Sequence, residues 1–121
     1  MFFSSAANMK ELCDKLIQKG YLNDKRVYDA MIKVDRADFC PNMPYVDSPQ
    51  PINYNVTISA PLIHSYCLEL LKDNLFEGAR ALDVGFGSGY LTAAMSEMIG
   101  NKGCVLESNI YNSYVNLLNQ I

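Results

Sequence analysis

Leu82-Asp83-Val84-Gly85-Phe86-Gly87-Ser88-Gly89-Tyr90-Leu91-Thr92 is the stretch on which the fold of this chain turns. The apolar run Ala79-Arg80-Ala81-Leu82-Asp83-Val84 leads into Gly85 and predicts a buried parallel strand. Residues 89–99 read as a helix. Glycines in GxGxG spacing between a strand and a helix let a backbone come close to a bound molecule. The dinucleotide fingerprint GxGxxG would need its third glycine where Tyr90 stands, so that pattern fails. A phosphate-cradling P-loop fails too, because no Lys-Ser/Thr pair follows. The plainer alternative is a strand-to-helix turn that needs positive φ, with Asp83 as a turn residue.

Working outward, Asn101-Lys102-Gly103 reads as a turn and Cys104-Val105-Leu106 as a second buried strand. Residues 110–121 place Ile110, Tyr111, Tyr114, Val115, Leu118 and Ile121 on one helical face. Strand–helix alternation of this kind builds a parallel α/β unit. Two strands are fewer than a doubly wound sheet requires, so the sheet is expected to be incomplete. Upstream, residues 8–19 form a helical pattern, with Asn8 and Glu11 as a capping box and Gly20 at the C-terminal cap. Residues 24–34 repeat it through Val27, Ala30, Met31 and Val34, with Asn23 or Asp24 as the cap. Pro41, Pro44, Pro49 and Pro51 break residues 35–58, within which 53–58 alternates like a short strand. Ser59-Ala60-Pro61 reads as a third helix start with Ser59 as N-cap. Leu62, Ile63, Tyr66, Cys67, Leu70 and Leu71 would form its apolar face through about residue 73.

With 121 residues, half of them hydrophobic and 19% charged, the chain suits one globular domain. A net charge of −3 with no basic run argues against nucleic acid and anionic membrane as partners. Neither a secretory signal at residues 1–7 nor a spanning segment is apparent. Four cysteines without CxxC spacing and a single histidine argue against zinc and against a disulfide framework. Cys67 and Cys104 are expected to be small buried hydrophobes, and the chain to be cytoplasmic with reduced thiols.

An acid two residues ahead of a GxGxG turn resembles the first motif of Rossmann-like S-adenosylmethionine-dependent methyltransferases. Glycines would let the backbone approach the cofactor's ammonium and sulfonium centres, and a buried Asp83 would orient the loop or favour the cation. Glu107, 18 residues after Gly89, is the candidate acid for the ribose hydroxyls; the alternative is a solvated strand-end carboxylate. Further upstream stand Val34-Asp35-Arg36-Ala37-Asp38-Phe39, Pro44-Tyr45-Val46-Asp47-Ser48-Pro49 and Thr57-Ile58-Ser59-Ala60-Pro61-Leu62-Ile63-His64. Together with Glu69-Leu70-Leu71 and residues 77–85, these segments closely resemble the protein-L-isoaspartate O-methyltransferase family, over about residues 8–106.

The resemblance implies an α/β fold of N-terminal helices plus a truncated Rossmann-like parallel sheet. Residues 1–78 would form the substrate-side segment and 79–121 the first strand-helix-strand-helix of the cofactor fold. It implies methyl transfer from S-adenosylmethionine to the carboxylate of L-isoaspartyl residues in proteins and peptides. It also implies Ser59 as the catalytic residue, and Val56, Thr57, Ile58, Ser59, His64, Asp83, Gly85, Gly87, Gly89 and Glu107 around the cofactor, with no metal. From spacing alone, Ser59 is an ordinary cap and His64 a core or surface histidine. The helix start at Ser59 would attract a carboxylate through free amides and the positive end of the helix dipole.

Two departures stand out. The family places Gly-x-(Asp or Glu) after the second strand, so the ribose acid falls on Glu107 or on Asn109. Phe86 replaces a small loop residue. The family sequence also continues beyond residue 121, so the chain is expected to be a monomer when complete and weak or inactive as it stands. The alternatives are a catalytically inactive fragment of the same family, a different methyltransferase, or a nucleotide-binding oxidoreductase.

Overall fold

The computed structural model describes residues 5–53, 55–85 and 87–108. The helix expected over 110–121, together with Phe86 and Asn109, lies outside the described residues. Helix α1 (Met9–Gln18) is followed by α2 (Lys25–Lys33) and a 3-10 turn over Arg36–Asp38. A small hairpin, β1 (Gln50–Pro51) with β2 (Thr57–Ile58), leads to α3 (Pro61–Leu71). Then come β3 (Arg80–Val84), α4 (Tyr90–Ile99) and β4 (Cys104–Ser108). Strands β3 and β4 pair in parallel, Arg80 beside Cys104 through Val84 beside Ser108, as the α/β reading requires.

Local chemistry explains the two N-terminal helices. The Asn8 side chain accepts from the Glu11 amide at 2.9 Å, and the Glu11 carboxylate accepts from the Ala7 amide at 3.0 Å. Gly20, at φ 81°, closes α1 with amide bonds from Gly20 to Ile17 and from Tyr21 to Leu16. Asp24 caps α2 by accepting from the Arg26 and Val27 amides. Glu69 of α3 accepts from the Asn23 and Asp24 amides, both at 2.7 Å. Arg26 donates to the carbonyls of Lys72, Leu75 and Met98, tying α2 to the ends of α3 and α4. The core lies between these helices and α4, built from Leu12, Leu16, Leu22, Val27, Met31 and Ile99.

The structure corrects several expectations. Helix α3 is turned over: Pro61, His64, Ser65 and Leu68 face inward, while Ile63, Tyr66, Leu70 and Leu71 are exposed. The inward side is chosen by specific partners. His64 stacks on Tyr90, and Glu69 accepts from the Asn23 and Asp24 amides that lead into α2, while Ser65 Oγ satisfies itself within the helix on the Leu62 carbonyl. The strands are not buried on both faces. Ala81 and Val105 pack against the core beneath α4, whereas Leu82, Val84 and Leu106 are 55%, 49% and 53% exposed. Cys13 and Cys40 are the buried thiols; Cys67 is half-buried and Cys104 exposed, because Cys104 lies beside Arg80 on the open face. Among the described residues of 53–58, Thr57–Ile58 is the strand, paired with Gln50–Pro51.

Gly103 was read as a plain turn residue, yet packing demands glycine there. A Cβ would stand 1.7 Å from Ile99 Cγ2 and 2.5 Å from the Ala79 carbonyl oxygen. No described helix is long and apolar enough to cross a membrane. Among the described residues no group of three or more His, Cys, Asp or Glu could hold a metal ion.

Candidate active site

The carboxyl ends of β3 and β4 lie side by side, joined by a 2.7 Å bond from the Gly85 amide to the Ser108 carbonyl. In open parallel sheets, ligands bind beyond such ends. Gly85, Gly87 and Gly89 all have left-handed backbone, at φ 73°, 57° and 89°, which a side chain would strain. At these three positions the loop offers main chain rather than side chains. Gly89 is also the N-cap of α4. Asp83 is half-buried, and its carboxylate accepts from the Thr92 hydroxyl of α4 at 2.8 Å. That bond links the last turn of the strand to the first turn of the helix and braces the loop between them. Glu107 sits in register beside Asp83 and is exposed, so two carboxylates share this edge.

The hairpin reaches over the loop. A Cβ at Gly87 would lie 3.8 Å from Val56 Cγ1 and 4.0 Å from the Thr57 carbonyl oxygen. Val56 and Thr57 are exposed, while the Ile58 side chain is sealed in the core. Ser59 is exposed but is not the cap of α3. Ala60 holds that position without a side-chain cap bond, and Asp47 Oδ1 accepts from the Leu62 amide instead. The Ser59 carbonyl is turned toward Arg36, leaving the residue outside the helix. The first-turn amides are also not free for an anion, since those of Ile63 and His64 both donate to the Ala60 carbonyl. The helix-terminus argument for carboxylate binding therefore fails here, and the exposed Ser59 offers its hydroxyl as a donor at this corner.

Behind the loop lies an aromatic and cationic cluster. His64 stacks on Tyr90 with ring centroids 4.7 Å apart, and Phe39 meets Tyr90 edge-on at 5.5 Å. Phe39 also lies under the loop, 3.9 Å from a Cβ placed on Gly89. Burial, with the Arg36 charge as a lesser cause, pushes the His64 imidazole down to about 4, so it is neutral at physiological pH. Burial pushes the Tyr90 phenol well above its usual range. Arg36 is 1% exposed, and burial lowers its guanidinium below the ordinary arginine value. Among the described residues Arg36 Nε, His64 Nδ1 and Tyr90 OH have no hydrogen-bond partner.

A sequence profile described as protein-L-isoaspartate(D-aspartate) O-methyltransferase matches residues 7–116. The chain belongs to this family. It is 50% identical over 103 residues to a Caenorhabditis elegans protein-L-isoaspartate O-methyltransferase, covering 85% of this chain and 46% of that protein. Over 94 residues it is 53% identical to the Triticum aestivum protein of the same name, covering 76% of this chain and 41% of that protein. It thus spans less than half the length of these relatives. A crystal structure from Plasmodium falciparum, assigned as a protein-L-isoaspartate O-methyltransferase in complex with S-adenosyl-L-homocysteine, superposes with a TM-score of 0.82. That match is 36% identical and covers 95% of this chain and 55% of the other.

Arg36, Phe39 and Asp47 stand in segments that carry the family resemblance, and Tyr90 in the glycine stretch, yet the sequence alone assigns none of them a role at the site. Arg36 between Asp35 and Asp38 looks like surface charge, and Tyr90 looks like the residue that spoils a dinucleotide motif. Their partners lie elsewhere in the chain, so no local spacing reveals them.

Proposed function

We propose that this protein is a repair methyltransferase that transfers a methyl group from S-adenosylmethionine to the carboxylate of L-isoaspartyl residues in proteins and peptides. One observation carries the reading: three loop glycines in left-handed backbone stand at paired parallel strand ends, beside Asp83 and Glu107 and beneath Val56 and Thr57. Main chain presented at three glycines, with two carboxylates beside it, suits a ligand bearing an ammonium group, a sulfonium and ribose hydroxyls. A neutral His64 adds no positive charge near such a cation. When bound, S-adenosylmethionine would supply the electrophilic methyl group.

The acceptor carboxylate is ionised at neutral pH, so the chain needs no strong base. Its task is to place an oxygen in line with the methyl group and to keep it there. Ser59 is the residue for this, through its exposed hydroxyl. Gly85, Gly87 and Gly89, with Val56, Thr57 and Ile58, would hold the cofactor from the loop and the hairpin, and Glu107 would accept from its ribose. The site as read calls for no metal. We place its action on substrates in the cytoplasm, a reading supported by four free thiols.

Calorimetric titration with S-adenosylhomocysteine is the direct test, followed by methyl transfer to an isoaspartyl peptide. Micromolar binding, with transfer abolished by Ser59→Ala, is expected. A second reading is an inactive chain that keeps only the cofactor half-site; the half-exposed Leu82, Val84 and Leu106 favour it. Binding without transfer would select that reading, and absence of binding would defeat both.

A further inference from the structure

Arg36 lies on the short 3-10 turn after α2 and is almost wholly buried. A buried guanidinium is expensive unless its donors are used. Here Nη1 donates to the Ser59 carbonyl at 2.8 Å and Nη2 to the Ser48 carbonyl at 3.3 Å. Those two carbonyls flank the hairpin: Ser48 lies two residues before β1, and Ser59 directly follows β2. The described ladder pairs Gln50 with Ile58 and Pro51 with Thr57, and beyond it the Ile52 amide donates to the Val56 carbonyl at 2.8 Å. Pro51 has no amide hydrogen to give, so so short a ladder is marginal unaided. Arg36 closes it at the neck, beyond the pair of Gln50 with Ile58.

We propose that Arg36 is a positioning residue, clamping the neck of the β1–β2 hairpin and so aiming the Ser59 corner and the Val56–Thr57 arm at the glycine loop. The proposal rests on the reading of Ser59 as the active-site serine. The 59–60 peptide bond is trans, so fixing the Ser59 carbonyl toward Arg36 also points the Ala60 amide away from it. One charge-assisted bond thereby sets the whole 59–60 peptide plane. The same segment backs the loop from below, since Phe39, three residues on, meets Tyr90 edge-on and lies 3.9 Å from a Cβ placed on Gly89. Arginine suits the task because a planar fork reaches two carbonyls at once, whereas a lysine ammonium is a single point donor on a flexible stem.

The test is residue-resolved amide hydrogen exchange on the native chain, Arg36→Lys and Arg36→Met, with S-adenosylhomocysteine affinity measured on each. Arg36→Met should speed exchange of the Ile52 and Val56 amides by roughly tenfold or more, the size of one lost charge-assisted bond. Exchange in α1 and α2 should stay within about twofold, and affinity should fall roughly tenfold in parallel. Arg36→Lys should fall between the two and recover part of both effects; if Arg36→Met does not fold, Arg36→Lys carries the comparison alone. Unchanged exchange at residues 50–60, or an equal loss of protection in every element, would overturn the clamp and make Arg36 a general stability residue. A native chain that ignores S-adenosylhomocysteine while the exchange pattern holds would instead defeat the cofactor reading and leave the clamp standing.

Discussion

In α1 and α2, Leu12, Leu16, Val27 and Met31 are almost sealed from water, whereas in the β3–β4 pair Leu82, Val84 and Leu106 are each about half exposed. Both regions are equally apolar in sequence. The difference is the number of layers around them. The helices are enclosed by one another, by α3 and by α4, while α4 covers only one face of the strands. Parallel strands ordinarily have both faces covered. The apolar residues of the open face therefore add little to stability, and the site at the strand ends draws its rigidity from α4 and the helical layer. Asp83 held by Thr92 is one contact through which that rigidity reaches the loop, and Phe39, 3.9 Å from a Cβ placed on Gly89, lies beneath it.

Paired truncations would break this comparison most sharply. Leu16→Ala should cost about 2–5 kcal/mol by chemical denaturation, and Leu82→Ala under about 1 kcal/mol. Equal losses would mean that the open face is covered in solution. Next in size is Gly103→Ala, which should cost about 3 kcal/mol because the Ala79 backbone cannot step aside for a Cβ. A neutral result would show that the α4–β4 joint is looser than its geometry. His64 gives an effect of at most about 3 kcal/mol, spread over pH. Its folded value of about 4 lies below the ordinary 6.5, so the unfolded chain binds more protons between them. Stability should therefore be full above about pH 6.5, fall as pH drops toward 4, and level off below. Subtracting the profile of His64→Gln from that of the native chain should isolate this slope; identical profiles would mean that His64 is not sealed against Tyr90. The smallest effect is kinetic. Cys104 on the open face should be alkylated first and Cys67 next, with Cys40 and Cys13 last. Burial pushes the Cys13 thiol up to about 12, and thiolate is the reactive form. Early labelling of Cys13 would mean that the helical layer opens readily.

Much of the fold was legible because its signals are local. Asn8 with Glu11, Gly20, Asp24 and the GxGxG turn each act within a few residues, and each falls where the spacing put it. The parallel pairing of β3 with β4 follows from strand–helix–strand order alone. The sequence did not reveal which side of α3 is buried. Its apolar residues suggested one face, but Asn23, Asp24, Tyr90 and the Asp47 cap chose another. The site divides in the same way. The glycines and Asp83 announce themselves by spacing. Arg36 reaches Ser48 and Ser59 across 12 and 23 residues, and only folding brings them together.

The sequence by itself determined the α/β class, the strand–glycine–helix turn and the family, because caps, turn chemistry and periodicity are properties of neighbouring residues. Tertiary structure alone decided that Ala60 and not Ser59 begins α3, that the strands keep one open face, and that a buried arginine holds the Ser59 corner. The physical reason is desolvation. Which polar groups must find partners depends on what is buried, and burial is fixed only when distant segments meet.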